Sequence, residues 1–181
     1  MEKGIIVVLN GTSSSGKTSI AKELIKLEPS FFHAELDSYD KFIEEMEERG
    51  GERLIPVPTE RLFHRTLALL SDEGVHTVAD TVLHDPGTLS DFYRLLTGYP
   101  VFFVGVFCAK PELERREKAR GDRRVGLAAS QLDFIHRQNE PYRLTVDTSM
   151  FTAEQCAARI AAAVRQSGML VPEVRSLFPG S

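Results

Sequence analysis

Residues 11 to 18 read Gly-Thr-Ser-Ser-Ser-Gly-Lys-Thr and satisfy the spacing G-x-x-x-x-G-K-S/T. The apolar run GIIVVLN (4–10) comes directly before them, and a stretch of helical periodicity from Lys17 to Leu27 comes directly after. This context constrains the fold more than the match itself. A buried strand, a glycine-bearing loop and a helix in succession gather backbone N–H groups and a helix N-terminus at one point, which makes an anion cradle. Gly11, Thr12, Ser13, Ser14, Ser15 and Gly16 are expected to form the cradle, the glycines because they reach the backbone angles that turn N–H groups inward. Lys17 is expected to bridge the β- and γ-phosphates of a nucleotide, and the Thr18 hydroxyl to hold Mg²⁺.

The rest of the chain repeats the same alternation of strand and helix. FFHAEL (31–36), VHTVADTV (75–82), PVFFVGVFC (100–108) and RLTVDTS (143–149) have strand length, and amphipathic stretches separate them. TAEQCAARIAAAVRQSG opens with Thr152 and Gln155 at capping-box spacing. Nearly continuous apolar strands alternating with helices predict an α/β fold, a parallel five-stranded sheet covered by helices on both faces. No repeat or low-complexity linker interrupts it. One domain is expected over residues 1–167, with a C-terminal tail, 168–181, packed on the body or serving an oligomer contact.

Composition removes several classes of function. A net charge of −4 argues against binding to a nucleic-acid backbone, which needs a strongly basic surface. The apolar runs are too short to span a bilayer, and MEKG does not resemble a signal peptide. A cytoplasmic protein is expected, a monomer or homo-oligomer. Cys108 ends an apolar run and Cys156 falls in a helical pattern, so both read as buried thiols rather than a disulfide or a metal site.

Strand ends supply the candidate chemistry, because open α/β sheets bind ligands there. Asp37, at the end of the second strand, can accept a substrate hydroxyl proton or position Mg²⁺. Its competing role is to cap the next helix. Asp80 ends the third strand and can serve metal or substrate. His84 reads as an exposed loop residue, and Asp85 follows it. The segment ELERREKARGDRR (112–124) carries six basic residues against four acids. Arg115, Arg116 and Lys118 read as a solvated helix face. Arg120, Arg123 and Arg124 flank Gly121 at a helix break, where a hinged lid (about 119–130) would bring cations over a transferring phosphoryl group. Asp147, Thr148 and Ser149 end the last strand, near the expected base of a nucleotide or at the cap of the next helix.

With these residues placed, the chain resembles the chloramphenicol phosphotransferase family of small P-loop kinases. The resemblance rests on VVLNGTSSSGKTSIAKEL, LDSYD, VADTVLHD, VGVFCAKPELERREKARGDRRVGLAASQ and VDTSMFTAEQCAARIA, and spans roughly residues 4 to 164. It implies a nucleoside-monophosphate-kinase-like fold, ATP and Mg²⁺ as cosubstrates, and phosphorylation of a primary hydroxyl. Asp37 would be the general base, Gly16, Lys17 and Thr18 would hold the triphosphate, and Arg120 and Arg123 would match the lid. Ser13 matches a loop serine of the family. The sequence departs from the family over residues 40–60, DKFIEEMEERGGERLIPVPTE. By its place in the fold this segment should wall the acceptor pocket. Phe42, Met46, Leu54 and Ile55 are candidates to line it. Glu44, Glu45, Glu47 and Glu48 would suit a polar or cationic acceptor or would simply be helix surface.

The expected reaction is transfer of the ATP γ-phosphoryl group to a hydroxyl of a small molecule. Chloramphenicol, another antibiotic, a metabolite or a sugar nucleotide are the acceptors to separate. The reading from another class is a nucleotide-binding regulator without turnover.

Overall fold

A computed structural model describes residues 2–46, 57–120 and 126–170, with the Arg120 side chain excepted. The strands are β1 (Ile6–Asn10), β2 (Phe32–Glu35), β3 (Thr77–Thr81), β4 (Val101–Phe107) and β5 (Leu144–Asp147). The helices are α1 (Lys17–Leu27), α2 (Leu36–Met46), α3 (Thr59–Asp72), α4 (Pro86–Leu96), α5 (Lys110–Arg120), α6 (Leu127–Gln131) and α7 (Ala153–Gln166). All strand pairings are parallel, in the order β2-β3-β1-β4-β5.

The central strand shows why the sheet forms. Every residue of β1 is fully buried, and successive side chains point to opposite faces. Val7 and Leu9 join Val104, Val106 and Val146 under α1 and α7, where Ile20, Leu24, Ile160 and Val164 close one core. Ile6 and Val8 join Ala79 and Phe103 under α3 and α4, where Phe63, Leu67, Phe92 and Leu96 close the other. A strand buried on both faces cannot carry an alternating polar pattern, hence the uninterrupted IIVVL. The expected five-stranded parallel sheet with helices on both faces is the one observed.

Local signals act where the sequence placed them. Thr152 and Gln155 form the reciprocal capping box at the start of α7. Asp85 caps α4, its carboxylate accepting from the Gly87 and Thr88 amides, and His84 is exposed. Cys108 and Cys156 are buried free thiols. Met169 and Leu170 pack against the α1/α7 core, while residues 171–181 lie outside the described residues. No helix among the described residues is long and apolar enough to cross a membrane.

Candidate active site

The loop joining β1 to α1 lies at the C-terminal edge of the sheet, between β3 and β4. It can turn tightly because Gly11 has no side chain: a Cβ there would collide with the Val106 carbonyl oxygen. Gly16 adopts φ +92° at the N-cap of α1, a conformation that disfavours any other residue. Ser14 also adopts positive φ, at 60°. Lys17 folds back over the loop, its Nζ donating to Gly11 O at 3.0 Å and Thr12 O at 2.8 Å. The ammonium is therefore already poised over the cradle.

A cleft of about 800 Å³ opens at this loop. Ser13, Ser14, Gly16, Lys17 and Thr18 line its floor; Glu35, Asp37, Asp80 and Thr81 line one wall, and Arg116, Thr148, Ser149, Met150 and Phe151 the other. Asp37 does not end a strand. The β2–β3 ladder stops at the pair Glu35–Asp80, so the chain enters α2 at Leu36 and Asp37 stands exposed in the first helical turn. Its carboxylate still belongs to the cleft. Asp80 is 3% exposed and lies 3.5 Å from His33 Nε2. Asp80 Oδ2, His33 Nε2, Ser14 Oγ, Ser15 Oγ and Thr81 Oγ1 find no hydrogen-bond partner among the described residues. Buried polar atoms are otherwise nearly always satisfied, so this concentration around the loop marks a place prepared for a polar ligand.

Several side chains not singled out as functional in the sequence contribute here. Arg116 is not on a solvated face: its Nη1 donates to Ser14 O at 3.3 Å and Thr148 Oγ1 at 3.0 Å, and Nη2 donates to Thr148 O at 2.8 Å. Glu112, one turn earlier, accepts from Arg116 Nε at 2.7 Å. Arg115 and Arg116 together hold the Glu112 carboxyl down to about 2, so the anchor stays ionised in ordinary buffers. Thr148 Oγ1 in turn donates to Ser15 O at 2.7 Å, which makes it a brace for the loop rather than a helix cap. Glu35 accepts from Thr18 Oγ1 at 3.3 Å and from Ser38 Oγ at 2.7 Å. Gln131 accepts from the Ser13 amide at 2.6 Å. The signal for Arg116 was the four-residue spacing Glu112–Arg116–Arg120, which puts the three on one helix face.

Behind the loop lies a closed polar chain. Asn10 Oδ1 accepts from the Leu83 amide, and Asn10 Nδ2 donates to Tyr142 Oη at 2.8 Å. His136 Nδ1 lies 2.8 Å from that hydroxyl and Nε2 lies 3.2 Å from Val106 O. A carbonyl can only accept, so Nε2 carries a proton, and in the neutral imidazole Nδ1 then accepts from the Tyr142 hydroxyl. Burial pushes the His136 pKa down and the Tyr142 pKa up, both in favour of the uncharged forms.

Phe42 and Met46 do not line the described cleft. Leu36 and Ile43 take the buried stripe of α2, which leaves Phe42 55% and Met46 66% exposed. Arg123 and Arg124 lie outside the described residues, as do Glu47, Glu48, Leu54 and Ile55. The described residues of the cleft fit a nucleotide and its metal: loop amides and Lys17 for phosphates, and the Thr18 hydroxyl with the orphaned Asp80 oxygen for a divalent cation.

The chain is similar in sequence and in fold to known proteins. The family model described as chloramphenicol phosphotransferase-like protein matches residues 4–165. A protein of Mycobacterium tuberculosis (strain H37Rv), provisionally named an O-phosphotransferase, is 28% identical over 185 residues, covering 88% of this chain and 82% of its own. Among solved structures, the APS kinase CysC of Mycobacterium tuberculosis with AMPPNP and APS superposes with a TM-score of 0.70 at 18% identity, covering 91% of this chain and 99% of its own. The Deinococcus radiodurans tunicamycin resistance protein gives 0.70 at 20% identity, covering 93% and 98%.

Proposed function

The chain belongs to the chloramphenicol phosphotransferase-like family and is a phosphotransferase of small molecules, and we propose that it moves the γ-phosphoryl group of Mg·ATP to an alcohol held beside Asp37. The observation that carries this reading is the pairing of the phosphate loop with two carboxylates on one wall of the cleft, Asp37 exposed to an incoming substrate and Asp80 buried. A protein that only sensed nucleotide would need the loop but not the exposed acid.

The loop amides and Lys17 bind the polyphosphate, and the Arg116–Thr148 brace keeps the loop in the shape that receives it. The metal, when bound, neutralises phosphate charge; Thr18 and Asp80 are the residues that would hold it. Asp37 accepts the proton of the acceptor hydroxyl as that oxygen approaches phosphorus, and Arg120 and Arg123 would neutralise charge from the lid side. Met150 and Phe151 offer an apolar edge on the Thr148 side, suited to a nucleotide base. We place the reaction in the cytoplasm, where ATP is available, with residues 1–167 acting as one kinase domain.

The test is ADP release by the purified protein with Mg·ATP, alone and with a panel of hydroxylated acceptors that includes chloramphenicol. Acceptor-stimulated turnover lost in Asp37→Asn supports reaction and base together. A nucleotide that binds yet never turns over with any alcohol would favour the regulator.

A further inference from the structure

The peptide groups of the phosphate loop are held from three places in the second half of the chain. Thr148, just past β5, donates to Ser15 O at 2.7 Å. Arg116, on α5, donates to Ser14 O at 3.3 Å. Gln131, the last residue of α6, accepts from the Ser13 amide at 2.6 Å. The first two contacts use carbonyl oxygens, which a phosphate repels. The third uses an amide, the kind of group the loop offers to an anion. Gln131 therefore engages the Ser13 amide, a group of the kind the loop would otherwise offer to an anion.

Gln131 has firm support. A helix of five residues has little stability of its own, but α6 is gripped at its start by Glu117. That carboxylate is 1% exposed and accepts from Gly126 N at 2.9 Å and Ala128 N at 2.7 Å. Cys108, Leu113 and Ala128 form a small apolar cluster beneath the junction. The same stretch of α5 thus reaches the loop twice, directly through Arg116 and indirectly through Glu117, α6 and Gln131.

Resting on the kinase reading above, we infer that Gln131 is a positioning residue for the terminal phosphate. Holding the Ser13 peptide sets the curvature of the first half of the loop. Lys17 Nζ rests on that half, through Gly11 O at 3.0 Å and Thr12 O at 2.8 Å. The β-phosphate is gripped mainly from the other end, by the N-terminus of α1. Loss of the Gln131 contact should therefore be felt by a ligand that has a γ-phosphate and spared by one that lacks it.

The experiment compares the full-length wild-type protein with Gln131→Met, which keeps length but removes the acceptor, and Gln131→Glu, which keeps the acceptor. Calorimetry reads the affinities for ADP and for the β,γ-imido analogue of ATP with Mg²⁺, and amide exchange without nucleotide reads the Ser13 N–H. In Gln131→Met the Ser13 amide should exchange roughly tenfold faster. The analogue should bind about tenfold more weakly while ADP stays within about twofold. Gln131→Glu should restore amide protection. Unchanged affinity for both ligands in Gln131→Met would overturn the inference. Equal loss of both together with a lower melting temperature would also overturn it, leaving Gln131 a packing residue. A wild-type protein that bound neither nucleotide would overturn the kinase reading first, and that result is distinct from a loss confined to the variant.

Discussion

On the nucleotide side of the cleft, Arg116 bridges the Ser14 carbonyl and Thr148, Thr148 fastens Ser15, and Glu112 fixes Arg116 at 2.7 Å. On the other side, Glu35 meets Thr18 at 3.3 Å, Asp37 stands exposed in the first turn of α2, and Phe42 and Met46 are exposed and do not line the cleft. The first wall is laced to the loop through side chains that are themselves held; the second contributes acids on a helix with a narrow buried stripe. In the proposed reaction the triphosphate is the same ligand in every turnover, so a preorganised wall suits it. In the proposed reaction the acceptor lies on the wall with fewer contacts to the loop, which can change without disturbing the phosphates.

Substitutions can break this contrast, starting with the largest effect. Asp37→Asn should lower acceptor-dependent ADP release by about 10²–10⁴-fold, the usual contribution of a general base, with ADP affinity unchanged by calorimetry. Near-normal turnover in that variant would remove Asp37 from the mechanism. Lys17→Ala should act on the opposite wall, weakening ADP and lowering turnover by roughly 10–100-fold, as expected for a charge-assisted contact. Arg116→Ala should weaken ADP by about tenfold through loosening of the loop and leave the acceptor KM unchanged. A shift in acceptor KM instead would mean that the two walls are coupled.

The pH dependence of stability sharpens the same comparison, because each half holds an imidazole whose pKa is lowered, half-buried in one and fully buried in the other. His136 sits behind the nucleotide half; His64, fully buried between α3 and α4, contacts Asp91 at 3.1 Å. Burial is the leading cause that lowers the pKa of both. With folded values below the unfolded value of about 6.5, the unfolded chain takes up protons first. Stability is therefore complete above pH 6.5 and declines as pH falls toward the lowered values. The melting temperature should drop by a few degrees between pH 7 and 5, in line with roughly 2–4 °C per kcal/mol for a chain of this size. His136→Gln should flatten part of that decline; an unchanged slope would assign it to His64. The smallest effect lies at the start of α7, at the Thr148 end of the cleft. Thr152→Ala removes the cap of α7 and should cost about 1 kcal/mol by denaturant titration.

The loop and the strands were legible because their residue types are dictated by backbone needs: glycine at a collision with Val106 O, glycine at positive φ, apolar residues on a strand buried on both faces. Asp37 was legible as an acid near a strand end, but its place one residue inside α2 depends on where the β2–β3 ladder stops, which only pairing decides. Arg116 was misread because a helix with basic residues on several sides shows no dominant stripe, and the residue that turns inward is chosen by Ser14 and Thr148, far away in sequence. Glu35 was hidden beside the more conspicuous Asp37. Gln131 was visible as part of a pattern after the arginines, with nothing local to say that it reaches Ser13.

The position of β1 in the sheet also governs how the chain comes together during synthesis. β1 is the first strand made, yet its neighbours are β3 and β4, with Ile6 paired to Thr77 and to Val101. At about 5–20 residues per second, the ribosome needs on the order of 5–20 s to deliver the second partner. Until then IIVVL is an apolar segment without a sheet, and the phosphate loop has no frame to shape it. Nucleotide can stabilise this protein only once more than half of it has emerged, so the most exposed interval for a chaperone to cover is the wait for β4.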